Sequence, residues 1–169
     1  VSSGGSGRLV VAEGPVVALR VEHAATAAAV VLVDHRPHDA RPGRDRCKMF
    51  AHTLKSHGIY TALVSGGFTL FASPIADKIG FHESRANTLV VENGKLTGDV
   101  KEPILGREAK RDTLIELRDQ FALSPEETVA IGDGANDLDM IGEAGFGVAF
   151  RAKPAVAAVA DARIDHADL

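Results

Sequence analysis

Two carboxylates and a carboxamide lie close together in one glycine-rich segment of the sequence, residues 131–137 (IGDGAND). Asp133, Asn136 and Asp137 come directly after a short apolar run and before a helical pattern. Carboxylate and amide oxygens suit Mg²⁺, and a bound Mg²⁺ can bridge to a phosphate group. The same residue types are common in turns and helix N-caps, so this segment taken alone is equally compatible with a structural turn.

Two further segments could bind an anion. Ser65, Gly66 and Gly67 follow an apolar run and precede a helical pattern, where a hydroxyl group and backbone N–H groups would meet at a helix N-terminus. Lys110, at the start of another helical pattern, could neutralise phosphate oxygens. Each segment has a plain alternative, because Ser-Gly-Gly is also a common turn sequence and a lone helical lysine is usually solvated.

The elements that must position these residues alternate between strand and helix patterns. Such alternation predicts a parallel sheet covered on both faces, with ligands bound beyond the carboxyl ends of the strands. We therefore expect the strand ends near Ala12, Val64 and Ile131 to surround one crevice. The predicted strands are residues 9–12, 59–64, 128–131 and 147–150, and the predicted helices are residues 47–57, 68–79, 107–121, 137–144 and 154–160.

Two stretches of the sequence carry other signals. Residues 18–33 stay undecided, because alanine favours helix whereas the run Val30–Val33 favours strand. Asn93 and Gly94 lie between two short apolar runs, and both residues tolerate positive φ, so they predict a β-hairpin.

The composition limits the classes of protein that are possible. The 169 residues are 45% hydrophobic and 25% charged, which predicts one globular domain over residues 8–169, preceded by a flexible linker over residues 1–7. A net charge of −4 excludes a nucleic-acid partner, and no apolar run is long enough to span a membrane. The single Cys47 cannot form an internal disulfide, so we expect a cytoplasmic protein.

The order of the motifs resembles the haloacid dehalogenase superfamily of phosphohydrolases, and the sequence from about residue 42 onward is similar to bacterial phosphoserine phosphatases. The resemblance implies a three-layer α/β sandwich with a Rossmann-like parallel sheet and a small hairpin. It also implies Mg²⁺-dependent hydrolysis of a small phosphorylated metabolite, O-phosphoserine, in serine biosynthesis. The segments that carry the resemblance are residues 62–68 (ALVSGGF), 85–87 (RAN), 103–110 (PILGREAK), 131–137 (IGDGAND) and 164–166 (IDH).

The resemblance implies a role for each polar residue of these motifs. Ser65, Gly66 and Gly67 would bind the phosphate group, and Lys110 would neutralise it and hold the attacking carboxylate.

The resemblance also implies roles in the last motif, residues 131–137. Asp133 would ligate Mg²⁺, and Asn136 would contact phosphate or metal-bound water. Asp137 would orient the residues around the ion.

The chain departs from the family at its first motif, Asp-x-Asp-x-Thr, which follows the first strand. There the first aspartate attacks phosphorus and the second is the general acid and base. With residues 9–12 as that strand, Glu13 takes the place of the nucleophile and Pro15 that of the acid/base, and Glu13 and the Pro15 carbonyl would ligate Mg²⁺. Glu22 then takes the place of the glutamate that binds the substrate ammonium.

A second register makes Asp34, directly after Val30–Val33, the nucleophile and puts Arg36 at the acid/base position. Both registers lack the second aspartate, and loss of a general acid/base costs about 10²–10⁴-fold in rate. A longer nucleophile such as Glu13 adds a misplacement of about 1 Å, worth on the order of 10²-fold. We therefore expect a severely impaired phosphatase. The alternatives are an inactive pseudophosphatase that binds Mg²⁺ and a phosphorylated ligand, and a chain altered over residues 1–41 by deletion or frameshift.

The helical cap domain of the family has no counterpart here. Residues 18–41 lie between the first motif and the next matching segment, and they provide room for one helix and its loops. We expect an open cleft that excludes water poorly and recognises the amino acid poorly.

Overall fold

A computed structural model describes residues 8–12, 18–22, 30–33 and 44–166, with side chains described for residues 47–166. The strands are β1 (Arg8–Ala12), β2 (Ala18–Glu22), β3 (Val30–Val33), β4 (Tyr60–Phe68), β5 (Glu83–Asn87), β6 (Leu89–Glu92), β7 (Lys95–Val100), β8 (Thr128–Gly132), β9 (Phe146–Phe150) and β10 (Ala162–Ile164). The α-helices are α1 (Arg44–Ser56), α2 (Thr69–Ile79), α3 (Arg107–Gln120), α4 (Leu138–Glu143) and α5 (Pro154–Ala157). No helix in these ranges is long and apolar enough to cross a membrane.

Six strands form one parallel sheet in the order β10-β9-β8-β3-β4-β5. β3 lies in its middle, since Val30 pairs with Tyr60 of β4 on one side and with Thr128 of β8 on the other. A run of four apolar residues suits this place, because a central parallel strand is buried on both faces.

Buried side chains on the two faces of the sheet form two separate core clusters. Leu63 of β4 and Ile131 of β8 pack on the face that α1 and α2 cover, whereas Val64 and Ala130 pack on the face that α3, α4 and α5 cover. Successive residues of a strand point to opposite faces, so β4, β8 and β9 each contribute to both clusters. The three-layer α/β sandwich expected from the sequence is confirmed.

The expectation that residues 9–12 belong to this sheet is wrong. β1 pairs antiparallel with β2, Arg8 opposite Glu22, in a separate two-stranded sheet, and β3 lies between β4 and β8 instead. Both runs are apolar, but β1 and β2 contain charged residues whereas β3 contains none. A strand with polar positions suits a sheet with one solvated face, and an uninterrupted apolar strand suits the centre of a parallel sheet.

The hairpin is confirmed, and two strands were missed. β6 and β7 are joined by Asn93 and Gly94, both with positive φ (49° and 75°). The missed strands, β5 and β10, are the two edges of the six-stranded sheet. β5 (ESRAN) is polar and β10 has three residues, so neither has the apolar pattern of a central strand.

Candidate active site

The ends of the three central strands bring the predicted motifs to one edge of the sheet. Val33 at the end of β3 is level with Leu63 and with Ile131. Because parallel strands share their direction, the segments that follow these positions leave the sheet at the same edge. We call this place the carboxyl edge and define it by Ser65, the residues 132–137 and Lys110.

Ser65, Gly66 and Gly67 form a bulge within β4 rather than a break after it. Ser65 pairs with Ala86 of β5 and Phe68 pairs with the next residue along, so the two glycines are extra residues in β4. Ser65 is buried, whereas both glycines are exposed. The Gly67 N–H donates a hydrogen bond to Ser65 Oγ (3.1 Å). The bulge therefore places two exposed glycines, which have no side chains, beside a serine hydroxyl group, and an anion can approach the backbone there.

The bulge of β4 approaches the turn after β8. A Cβ atom placed on Gly66 would lie 4.0 Å from Asn136 Nδ2 and 3.9 Å from the Leu105 carbonyl oxygen. The predicted phosphate-binding serine segment and Asn136 are thus brought together. A Cβ atom at position 66 would therefore be in ordinary van der Waals contact with Asn136 and with Leu105.

Lys110 and Asp137 form a buried ion pair at the carboxyl edge. Lys110 Nζ lies 2.6 Å from Asp137 Oδ1, and both side chains have no solvent exposure. Asp137 Oδ2 accepts the backbone N–H groups of Asp133 (3.1 Å) and Gly134 (2.9 Å). Burying two charges is costly unless they are paired and hydrogen-bonded, and here both oxygens of Asp137 have donors. The alternative of Lys110 as a solvated surface lysine is therefore wrong.

The glycine at the end of β8 makes this arrangement possible. A Cβ atom on Gly132 would lie 2.5 Å from Asp137 Cβ and 2.7 Å from Oδ2, well inside van der Waals contact. The turn after β8 thus folds back tightly over the strand end. Asp137 lies in a 3₁₀ turn (Ala135–Asp137) before α4, so α4 begins one residue later than predicted.

Asp133 is the predicted Mg²⁺ ligand in this turn. It is half-buried, and its backbone carbonyl accepts the N–H of Lys153 (3.2 Å), which ties the turn to the start of α5. A carboxylate at the sheet edge fits Mg²⁺, a hard ion that usually takes one or two carboxylates and completes its shell with water or phosphate oxygens. Within residues 47–166, no three His, Cys, Asp or Glu side chains lie close enough to hold a metal by themselves.

The residues of the first motif lie outside the described part of the chain. Glu13 and Pro15 follow β1, Asp34 follows β3 directly in the sequence, and none of the three is described. Glu22 is the last residue of β2, in the two-stranded sheet, and its side chain is not described. Their predicted roles stay predictions.

One buried residue of this region was missed. Asn87, at the end of β5, donates a hydrogen bond to the Gly66 carbonyl in the bulge of β4. It also accepts a hydrogen bond from the Leu105 N–H, in the loop before α3. In the sequence, Asn87 stands out only as part of the matching segment 85–87. A polar residue with 7% exposure at a strand end is the signal, but it becomes visible only once β5 is placed.

Comparison with known proteins agrees with this geometry. The sequence model of the family of haloacid dehalogenase-like hydrolases matches residues 9–142. This range includes the serine bulge, Lys110 and the turn after β8. The chain belongs to the haloacid dehalogenase-like hydrolase family.

Among curated members of this family, the chain is 43% identical over 116 residues to the phosphoserine phosphatase of Methanocaldococcus jannaschii, covering 69% of this chain and 55% of that protein. It is 44% identical over 114 residues to phosphoserine phosphatase SerB2 of Mycobacterium tuberculosis, covering 68% of this chain and 28% of that protein. The chain therefore spans about half, or less, of the length of these relatives.

Solved structures of this hydrolase family have the same fold. A phosphoserine phosphatase described as a phospho-aspartyl intermediate analogue superposes with a TM-score of 0.74 at 28% identity, covering 85% of this chain and 96% of that chain. A substrate-bound phosphoserine phosphatase complex superposes with a TM-score of 0.67 at 40% identity, covering 72% of this chain and 58% of that chain.

Proposed function

We propose that this hydrolase is a Mg²⁺-dependent phosphomonoesterase that converts O-phosphoserine to serine and phosphate, with slow turnover. The observation that carries the proposal is the fully buried Lys110–Asp137 pair at the same sheet edge as Ser65 and Asp133. A buried cation at the same sheet edge as a hydroxyl group and two exposed glycines suits the binding of an anion. The similarity to phosphoserine phosphatases supports O-phosphoserine as the anion. With that substrate, the protein would act in serine biosynthesis, in the cytoplasm.

We assign the nucleophile to Asp34 rather than to Glu13. The resemblance implies an attacking aspartate directly after the first strand of the central sheet. β3 occupies that place between β4 and β8, and Asp34 is the next residue in the sequence. Glu13 follows β1, which belongs to the separate two-stranded sheet. The pairing of the strands therefore favours the second register.

In the proposed reaction, an Asp34 carboxylate oxygen forms a bond to phosphorus while the bond from phosphorus to the serine oxygen breaks. Water then cleaves the aspartyl-phosphate and releases phosphate. Ser65 donates a hydrogen bond to a phosphate oxygen, and Lys110 neutralises the phosphate group. Asp133 and Asp34 would hold Mg²⁺, which supplies positive charge against the phosphate oxygens when it is bound.

Protonation of the leaving serine oxygen is the weak step. The acid/base position of this register holds Arg36, whose guanidinium does not release its proton at neutral pH. The proton must come from water, so we expect a rate about 10²–10⁴-fold below that of an enzyme with the second aspartate. The same observation favours a second function, a pseudophosphatase that binds Mg²⁺ and a phosphorylated ligand without turnover.

The short connection before α1 bears on specificity. Residues 35–43 separate Asp34 from α1, which begins at Arg44. Nine residues cannot form a helical cap over the carboxyl edge. We therefore expect small phosphomonoesters other than O-phosphoserine to be hydrolysed with similar kcat/KM.

The test is phosphate release from O-phosphoserine with and without Mg²⁺, for the wild-type chain and for Asp34→Asn, Glu13→Gln and Asp133→Asn. The proposal expects slow Mg²⁺-dependent release that Asp34→Asn and Asp133→Asn abolish and Glu13→Gln leaves intact. Loss in Glu13→Gln with retention in Asp34→Asn would favour the first register. No release by the wild-type chain, together with Mg²⁺-dependent binding of O-phosphoserine in calorimetry, would establish the pseudophosphatase.

A further inference from the structure

Asn87 connects the two loops that carry Ser65 and lead to Lys110. It is the last residue of β5 and is 7% exposed. Its Nδ2 donates to the carbonyl oxygens of Gly66 (3.0 Å) and Leu105 (3.3 Å), and its Oδ1 accepts the Leu105 N–H (2.6 Å). One side chain therefore holds the bulge of β4 and the loop before α3 at a fixed separation.

These three bonds require a carboxamide. The carbonyl oxygens of Gly66 and Leu105 can only accept, and the Leu105 N–H can only donate. Asparagine offers two N–H donors and a carbonyl acceptor on the same short side chain, whereas aspartate has no donor when ionised. The three partners also fix which way the Asn87 amide group points.

The hydrogen bond to Gly66 also links Asn87 to Ser65 through one peptide unit. The Gly66 carbonyl and the Gly67 N–H belong to one peptide unit, which is planar and trans, so the two groups point in opposite directions. With the carbonyl held by Asn87, the N–H points to Ser65 Oγ, to which it donates (3.1 Å). Two consecutive glycines have the widest choice of backbone conformations, and the hydrogen bond from Asn87 restricts the conformation of this peptide.

The hydrogen bond from Gly67 leaves a defined role to the serine hydroxyl group. Ser65 Oγ acts as an acceptor in that bond, and its own O–H is available as a donor. A donor aimed away from Gly67 is what a phosphate oxygen at the carboxyl edge requires. We propose that Asn87 is a positioning residue for phosphate binding, which acts through the Gly66–Gly67 peptide to orient the Ser65 hydroxyl group. The inference rests on the proposed function.

The experiment compares Asn87→Ala and the isosteric Asn87→Asp with Thr128→Val. Thr128 is a matched control, because its buried hydroxyl group also bonds two backbone groups, the Pro125 carbonyl (2.6 Å) and the Gly145 N–H (3.1 Å), at the opposite end of the sheet. Calorimetry with Mg²⁺ and inorganic phosphate gives the affinity, and the Gly67 amide resonance of ¹⁵N-labelled protein reports the hydrogen bond to Ser65. Urea unfolding shows that each variant is folded under these conditions.

We expect both Asn87 variants to move the Gly67 resonance and to weaken phosphate binding by about tenfold to a hundredfold, the usual worth of a hydrogen bond to a charged group. Thr128→Val should leave both measurements unchanged. Because Asn87 acts through Ser65, Asn87→Ala should weaken binding no further when Ser65→Ala is already present.

Three results would overturn the inference: an unmoved Gly67 resonance, an unchanged phosphate affinity, or an equal loss with and without the Ser65 hydroxyl group. A wild-type chain that binds no phosphate and releases none would overturn the proposed function instead. The Gly67 resonance would then still decide whether Asn87 holds the peptide. If Asn87→Asp does not fold, Asn87→Ala gives the same measurements without a buried charge.

Discussion

The two ends of the central sheet hold their charged side chains in opposite ways. At the carboxyl edge, Lys110 and Asp137 pair with no solvent exposure. At the other end, which we call the amino edge and define by Tyr60, Thr61 and residues 82–85, the pairs are open to water. Arg85 of β5 bonds Glu116 of α3 through two nitrogens (2.7 and 3.2 Å), and the Glu116 side chain is 61% exposed.

This difference separates stability from function. Exposed pairs contribute little, about 0–1 kcal/mol, and they cost little to build. A fully buried ion pair gives no more stability than a well-packed apolar pair would. Removing one of its two charged partners, however, strongly destabilises the fold. The proposed phosphate binding would explain the charges buried at the carboxyl edge, whereas the contacts at the amino edge only tie its strands and α3 together.

The amino edge does that with aromatic and polar contacts. The Tyr60 hydroxyl group donates to Glu83 (3.0 Å), and its ring stacks on His82 and lies against Phe121 at centroid distances of 4.8 and 4.6 Å. Burial, and to a smaller extent the hydrogen bond to Glu83, raises the pKa of Tyr60. These contacts join β4 to β5 and to the end of α3.

The largest expected effect comes from breaking the buried pair. Lys110→Met leaves Asp137 as a buried carboxylate without its ammonium partner, so we expect the free energy of unfolding to fall by about 3–5 kcal/mol. Urea unfolding followed by circular dichroism measures it. Lys78→Met, on the exposed side of α2, is the control and should change stability by less than about 0.5 kcal/mol. Equal effects of the two variants would show that the carboxyl edge is not special.

The tight turn at the carboxyl edge gives the next effect. Gly132→Ala forces a methyl group to within 2.5 Å of Asp137 Cβ, so we expect a loss of about 1–3 kcal/mol from overpacking. Gly142→Ala in α4 is the matched control, because nothing lies within 4 Å of the added Cβ. Alanine there should stabilise the helix by about 0.5–1 kcal/mol. Thermal unfolding measures both variants, and melting temperatures that move in the same direction would contradict this expectation.

A smaller effect is expected at the amino edge. Glu116→Gln removes the charge that faces Arg85, whose side chain is 26% exposed. The hydrogen bond to Arg85 lowers the pKa of Glu116, but solvent screens a carboxylate that is mostly exposed. We expect the free energy of unfolding, measured in urea, to fall by less than about 1 kcal/mol, and by half of that or less in 1 M salt. A loss of unfolding free energy as large as that of Lys110→Met would show that the charged pairs at the two ends of the sheet do not differ in this way.

The smallest effect is a pH dependence of stability at the amino edge. Burial, with a smaller contribution from Lys55, lowers the pKa of His82 from 6.5, and His82 Nδ1 accepts the Thr61 N–H (3.1 Å). The folded chain therefore binds the proton less readily than the unfolded chain. This contribution to stability is complete above pH 6.5 and is lost as the pH falls below it. His82→Gln should flatten the profile of unfolding free energy between about pH 7 and pH 5, and an unchanged slope would exclude His82 as its source.

Local pattern was enough for most of this fold and for the residues of the carboxyl edge. Apolar runs interrupted by glycine indicated β4, β8 and β9. The phosphate site was suggested by the resemblance to the haloacid dehalogenase superfamily, which the order of Ser65, Lys110 and Asp133 carried. These features depend on neighbours along the chain, which a sequence displays directly.

Long-range pairing decided the parts that were mispredicted or missed. Residues 9–12 and Val30–Val33 are both short apolar runs, and only the pairing of β3 with β4 and β8 shows which one is central. β5 is a polar edge strand, so it was not predicted, and the contacts of Asn87 were invisible without it. The Lys110–Asp137 pair joins residues 27 positions apart, and helical pattern alone gives no sign of its burial.

The proposed function depends most on Asp34, after β3, as the residue that accepts the phosphoryl group. Acetyl phosphate with Mg²⁺ tests it most directly, because acetate leaves without being protonated and the missing acid/base is not needed. The bond from phosphorus to acetate breaks as an aspartate oxygen attacks, and slow hydrolysis should let the phosphorylated chain accumulate. We predict one added phosphoryl group by intact mass, mapped to Asp34 and absent in Asp34→Asn. A phosphoryl group on Glu13, or no phosphorylation of the chain, would contradict the account.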